Sequence, residues 1–189
     1  MSFSSRAKSE LCRAGLSRRC CARAEAYGVL LYCNQFTARQ VRIVTESQDF
    51  AARLPGLFQR AFRLDFDRLP EAGAGKRAFS ITEPDKLSAL WGTFGCAPEE
   101  TLAHHINFAV VEEEHCRTAF LRGAFLAGGS VTDPMKGYHL ELATSHYHAG
   151  RELPALLREA GFEPKETERK GNRVIYFKHS HQIEDFLTF

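Results

Sequence analysis

Histidine and cysteine are the side chains here best suited to chemistry near neutral pH, and several stand in pairs. His104-His105, His115-Cys116, His146-x-His148 and His179-x-His181 each bring two nitrogen or sulfur donors together in the chain. Two histidines two positions apart share one face of a strand and can chelate an ion. No third and fourth ligand at an established spacing accompanies any pair. No C-x-x-C occurs among Cys12, Cys20, Cys21, Cys33, Cys96 and Cys116. The expectation is therefore no metal and no cofactor. The cysteines read as small apolar side chains in a reducing compartment rather than as disulfides. Cys21 and Cys116 open two similar helices, so their sulfurs approach each other if those helices run side by side. Nothing marks out a nucleophilic cysteine with a histidine base.

The elements that would position these residues follow from patterning. The chain has 189 residues, 44% of them hydrophobic, enough for one domain or two small halves sharing a core. No apolar run approaches the roughly 18 to 20 residues needed to cross a bilayer, and the N-terminus lacks a signal peptide's apolar stretch. A cytoplasmic protein is expected. Net charge is only +2, yet residues 1–60 hold ten Lys/Arg against four Asp/Glu and residues 61–115 hold five against ten. Any nucleic-acid contact must then come from local patches.

Helices are expected over "SSRAKSELCRAGL" (capped by Ser4 or Ser5), "CARAEAYGVLLYC", "SQDFAARLPGLFQRAF" (capped by Ser47), "EPDKLSALWGTFG", "FLRGAFLAGGS", "HAGRELPALLREAG" and "QIEDFLTF". Strands are expected over "QVRIVTE", "LDFDRL", "RAFSIT", "KGYHLELATS" and a hairpin from "EPKETER" through "KGNR" to "VIYFKH". "INFAVVEEE" reads as a loop or an entry into the next helix.

The order helix, strand, helix, hairpin occurs twice. A shift of 95 aligns "CARAEAYGVLLYCN" with "CRTAFLRGAFLAGG", and a shift of 99 aligns "RLPGLFQRAF" with "ELPALLREAG". A duplicated architecture explains why glycines sit mid-helix, where each costs about 1 kcal/mol relative to alanine. If the two alanine-glycine helices cross at a two-fold axis, close backbone approach demands small residues. Gly28 then faces Gly123, with Ala124, Ala127, Cys33 and Gly128 along the same seam.

"LRGAFLAGG" resembles the helix motif of the LAGLIDADG homing endonucleases. "HCRTAFLRGAFLAGGSVTDPMKGYHLEL", the ending "ERKGNRVIYFKHSHQIEDFL" and the start "MSFSSRAKSEL" are similar to the bacterial WhiA family of sporulation and cell-division regulators. The resemblance covers nearly the whole chain and is strongest across residues 115–142. It implies an α+β fold of two pseudo-symmetric LAGLIDADG-like repeats, with central helices packed at a pseudo-dyad and saddle-shaped antiparallel sheets. An N-terminal helix would occupy residues 1–19, the first repeat 20–114 and the second 115–189. The family's C-terminal helix-turn-helix has no counterpart in this chain.

Phosphodiester hydrolysis in that fold requires acids at the bottom of the two central helices, where they hold divalent metals. In the motif's register those positions are Cys33 and Gly128, a soft thiol and no side chain. Glu25 lies about 12 Å up the helix and Asp133 starts a turn with Pro134; neither has an evident partner. The resemblance thus implies a non-catalytic scaffold or DNA-binding domain of a transcriptional regulator in sporulation, cell division and chromosome segregation. The alternative is an interaction module that docks another transcription factor.

Period-2 alternation nominates outward residues for DNA. Val41 and Ile43 turn in, leaving Gln40 and Arg42 out; Tyr138, Leu140 and Leu142 turn in, leaving His139 and Glu141 out. Lys165, Thr167 and Arg169 share a face, with Lys170 and Arg173 in the turn. Lys76, Arg77 and Lys136 lie near strand starts. Glu163, Glu166 and Glu168 dilute the patch. The expected partner is double-stranded DNA, bound weakly and with salt sensitivity, by a monomer near the nucleoid with no membrane contact.

Overall fold

Two rounds of helix and short strand build the molecule in the computed structural model, which describes residues 1–73, 75–95 and 105–189. Cys96 and His104 lie outside the described residues. The first round runs α1 (Phe3–Leu11), α2 (Arg19–Tyr32), β1 (Gln35–Phe36), β2 (Val41–Thr45), α3 (Gln48–Phe62), β3 (Arg77–Ile81) and α4 (Pro84–Thr93). A 3₁₀ turn at Phe108–Val111 leads into the second round. That round comprises α5 (Glu114–Gly128), β4 (Gly129–Val131), β5 (Leu140–Thr144), α6 (Tyr147–Glu159), β6 (Lys165–Arg169), β7 (Asn172–Phe177) and α7 (Ser180–Thr188). Among the described residues no helix is long and apolar enough to cross a membrane.

Local chemistry sets the boundaries. Ser2, rather than Ser4 or Ser5, caps α1 by accepting from the Ser5 amide at 3.0 Å. Ser47 caps α3 through the Phe50 amide at 3.3 Å. Pro55 and Pro154 both lie inside their helices. The β6–β7 hairpin turns through Lys170 and Gly171 with φ of 52° and 79°, the left-handed pair of a two-residue hairpin.

Among the described residues two antiparallel sheets form, ordered β1-β2-β3 and β4-β5-β7-β6. Their registers repeat each other. Val41 pairs with Ile81, Ile43 with Phe79 and Thr45 with Arg77; Leu140 pairs with Phe177, Leu142 with Ile175 and Thr144 with Arg173. These are the same three rungs in each half, so the fold is α+β with two pseudo-symmetric repeats. Both sheets bury the apolar members of these rungs, and in the second the buried Thr144 hydroxyl donates to the Leu31 carbonyl at 2.7 Å.

Three further expectations change, and two short strands went unforeseen. "LDFDRL" contributes one bridge, Arg68 to Ser80, instead of a strand, because Asp67 turns back to bind the start of α4. Its carboxylate accepts from the Thr82 and Glu83 amides at 2.6 and 2.9 Å. The short strands β1 and β4 escaped sequence reading, since two or three residues carry no period. Tyr138 is 53% exposed rather than inward, because β5 begins only at Leu140. Arg173 belongs to β7, not to the turn.

The helix seam and a candidate nucleic-acid interface

The core of the molecule is the contact between α2 and α5. A Cβ on Gly28 would lie 2.2 Å from the Phe120 carbonyl oxygen, and one on Gly123 would lie 2.0 Å from the Glu25 carbonyl oxygen. Gly28 and Gly123 are 95 residues apart, as are Glu25 and Phe120, so each glycine meets the equivalent point of the other helix. Ala124 is fully buried beside Gly28. Ala127 packs at the margin of the core. At such distances any side chain would push the backbones apart, which is why propensity yields to packing here.

Cys33 and Gly128 end the two helices. The Cys33 thiol is buried and donates toward the Leu30 and Gln35 carbonyls, both at 3.2 Å; burial pushes its pKa up to about 12. A Cβ on Gly128 would meet the Ala143 carbonyl at 2.5 Å and the Tyr32 ring at 2.9 Å. Neither position offers a carboxylate. Asp133 stays in its turn, accepting from the Met135 amide at 3.0 Å.

Glu25 has partners after all. It is fully buried, and Arg53 of α3 grips it through Nε at 2.8 Å and a terminal nitrogen at 3.0 Å. Arg122 of α5 donates to the same carboxylate. Arg53 also donates to the Cys12 and Ala14 carbonyls at 3.0 and 2.6 Å. One acid thus ties α2, α3, α5 and the segment after α1 together. Sequence reading missed it because the partners lie 28 and 97 residues away.

A second cluster sits at the opposite end of the seam. One donor atom each from Cys20, Cys21, His115 and Cys116 lies within 4.8 Å of all the others. The His115 Nδ1 is 3.2 Å from the Cys21 sulfur and 3.4 Å from that of Cys116. Burial first, and then the neighbouring thiols, push Cys116 up to about 12. Spacing rules did not reveal this group, because its members come as two adjacent pairs from the two repeats. The other histidine pairs go elsewhere: His105 contacts Glu152 at 2.6 Å, and His179 stacks on His181. His146 and His148 flank Tyr147, which stacks edge-on against His148.

The outer sheet faces are sorted by alternation. On β6, Lys165, Thr167 and Arg169 pair in register with Tyr176, Val174 and Asn172, on the face away from the helices. Glu166 and Glu168 pair with Ile175 and Arg173 on the helix side. There Arg173 binds both acids, at 3.3 and 3.1 Å, and Arg158 of α6 approaches Glu166 at 3.6 Å. Those glutamates therefore do not dilute the outer face. Arg173 leaves it too, lying over the Tyr147 ring. Arg77, at the equivalent rung of the first sheet, also lies on the helix side, reaching the Glu46 and Gly75 carbonyls.

What remains outward is mostly basic. Arg42 is exposed on the first sheet and Lys76 just before it, and Lys136, Lys165, Arg169 and Lys170 are exposed on or beside the second. Glu141 is the acid among the outward strand positions. Arg169 reaches both its oxygens, the nearer at 2.6 Å, and His139 contacts it at 3.0 Å. The Arg169 hydrogen bond holds the Glu141 carboxyl below its ordinary range, with His139 assisting. His139 also stacks on Tyr176, centroids 5.6 Å apart.

A family model described as the WhiA LAGLIDADG-like domain matches residues 117–189. A probable cell division protein WhiA from Ruminiclostridium cellulolyticum is 34% identical to the chain over its whole length. Residues 117–189 thus match the WhiA LAGLIDADG-like domain, and the chain as a whole is similar to WhiA proteins. It spans 63% of that relative's length, and 64% of a second, from Alkaliphilus metalliredigens, at 31% identity. The crystal structure of an N-terminal LAGLIDADG domain of DUF199/WhiA superposes with a TM-score of 0.75, covering 99% of this chain and 89% of the other at 19% identity. The homing endonuclease I-DmoI in complex with its target DNA superposes at 0.62, covering 90% and 97% at 11% identity. At these identities both likenesses speak to fold alone. This chain shares the endonuclease architecture, and a Cys/His cluster rather than acids is the grouping of three or more metal-ligating side chains among the described residues.

Proposed function

We propose that this chain is the non-catalytic, DNA-binding scaffold of a WhiA-type transcriptional regulator acting in the cytoplasm at the nucleoid, with repeats over residues 20–114 and 115–189. The observation that carries the reading is the sorting of charge across β6: cations outward, acids turned to the helices and neutralised there. A face carrying Arg42, Lys76, Lys136, Lys165 and Lys170 suits a phosphate backbone, with Arg169 beside them shared with Glu141 and the His139–Tyr176 stack offering a flat surface. Contacts of this kind position a protein on DNA without reading its sequence. The DNA-bound endonuclease of the same fold supports this direction.

Hydrolysis has no support. A thiol with its pKa near 12 and a glycine packed on Tyr32 occupy the ends of the two helices, and neither can hold a hard divalent cation. Glu25 is consumed by two arginines. Roles in sporulation, cell division or chromosome segregation are proposed here only through the family, whose matched members are longer than this chain.

Titrating the chain with duplex DNA at about 50 mM salt tests the reading. Binding should appear, weaken steeply with added salt, and be accompanied by no strand scission with Mg²⁺ or Mn²⁺. Binding absent at low salt would instead favour a module that docks another transcription factor.

A further inference from the structure

The sulfur–imidazole cluster has a symmetry that random packing of thiols lacks. Cys20 and His115 are separated by 95 residues, and so are Cys21 and Cys116, the same interval that relates the two seam glycines. The four donors are therefore two equivalent dipeptides facing each other across the pseudo-dyad. A tetrahedron has two-fold axes of this kind, so two related pairs can supply its four corners.

The dimensions agree. Zinc–sulfur bonds of about 2.3 Å and zinc–nitrogen bonds of about 2.0 Å place tetrahedral ligand atoms roughly 3.5 to 3.8 Å apart. Two of the three sulfur–nitrogen separations are 3.2 and 3.4 Å, a few tenths of an ångström short of that, and all four donors fall within 4.8 Å. That spacing encloses one ion and leaves no room for an iron–sulfur cluster. A disulfide would use two sulfurs and leave the imidazole without a part. Three thiolates and an imidazole select a soft or borderline ion over Mg²⁺ or Ca²⁺.

Charge also fits. One divalent ion with three thiolates carries one net negative charge. It would sit at the first turns of α2 and α5, whose partial positive charge favours an anion. Neither helix has a side-chain cap. The cluster lies thirteen residues, about 20 Å, from Cys33 at the other end of α2, so it is unrelated to the place where the endonuclease fold holds its catalytic metals. We propose that Cys20, Cys21, His115 and Cys116 form a structural zinc site that staples the two repeats together at the start of their central helices. All four positions are filled by protein, so the ion is structural and has no open position for a substrate.

The test uses the reduced 189-residue chain, stripped with a chelator and titrated with Zn²⁺ against a chromophoric competitor, then with Co²⁺ as a spectroscopic probe. One equivalent of zinc should bind tightly, and cobalt should show thiolate charge transfer with intense tetrahedral d–d bands. Cys20 and His115 are exposed, so Cys20→Ser and His115→Ala leave the core packed. Each should weaken zinc by more than the roughly 10- to 100-fold typical of losing an outer-shell partner. His115→Cys should restore it, and Cys12→Ser should change nothing. A weak octahedral cobalt spectrum, unaltered affinity in Cys20→Ser, or two thiols lost to air oxidation without metal uptake would each overturn the assignment.

Discussion

Arg53 meets Glu25 edge to edge inside the molecule, two nitrogens on two oxygens at 2.8 and 3.0 Å, with the carboxylate wholly out of water. Arg122 completes the arrangement from the other repeat. Removing the acid would leave two guanidinium groups buried without their counter-charge. Glu25→Ala should therefore destabilise the fold by about 3 to 5 kcal/mol, read as a shift in the urea midpoint. A loss below about 1 kcal/mol would show the pair to be dispensable.

The seam glycines admit no side chain. Gly28→Ala and Gly123→Ala each place a methyl within 2.2 Å of a carbonyl oxygen on the facing helix. Overpacking against side chains costs about 1 to 3 kcal/mol, and backbone yields less readily. Gly56 sits mid-helix in α3 with nothing within 4 Å of its Cβ position. Gly56→Ala should stabilise by up to about 1 kcal/mol. Thermal melts of the three variants decide the comparison.

Charge sorting across the second sheet separates two glutamates of similar sequence context. Glu141→Gln removes the outward acid and should tighten duplex DNA, while Glu168→Gln acts on the helix side and should leave affinity unchanged. Lys165→Ala should lower the slope of log affinity against log salt by about 0.9 if Lys165 touches a phosphate. Equal effects of the two glutamate variants in fluorescence anisotropy would remove the face assignment.

Acid stability should report on Asp67. Its partial burial opposes ionisation, but the hydrogen bonds from Lys86 and from the Thr82 and Glu83 amides prevail and hold its pKa at about 2 against an ordinary 3.8. A carboxyl depressed in the folded state stabilises it above the unfolded value and loses that contribution as pH falls through the folded one. The chain should lose stability between about pH 4 and pH 2, and Asp67→Asn should flatten that part of the profile in chemical denaturation.

Much of the architecture was legible in sequence because it rests on local rules. The seven α-helices among the described residues, the duplication and the glycine seam follow from apolar period, capping residues and the paired intervals of 95 and 99. β1, β4 and the reduction of "LDFDRL" to one bridge were not, since such short pairings depend on neighbouring strands. Tyr138 misled for the same reason: alternation says which side a residue takes only once the strand's first residue is known.

What sequence alone determined was the fold's symmetry and the absence of acids where the central helices end, because both are properties of residue type at a fixed helical position. Tertiary structure decided which charges share a face, where Glu25 finds its two arginines, and that four donors from separate repeats converge. Each of those is a meeting of groups distant along the chain, and only the crossing of α2 and α5 brings them within bonding distance.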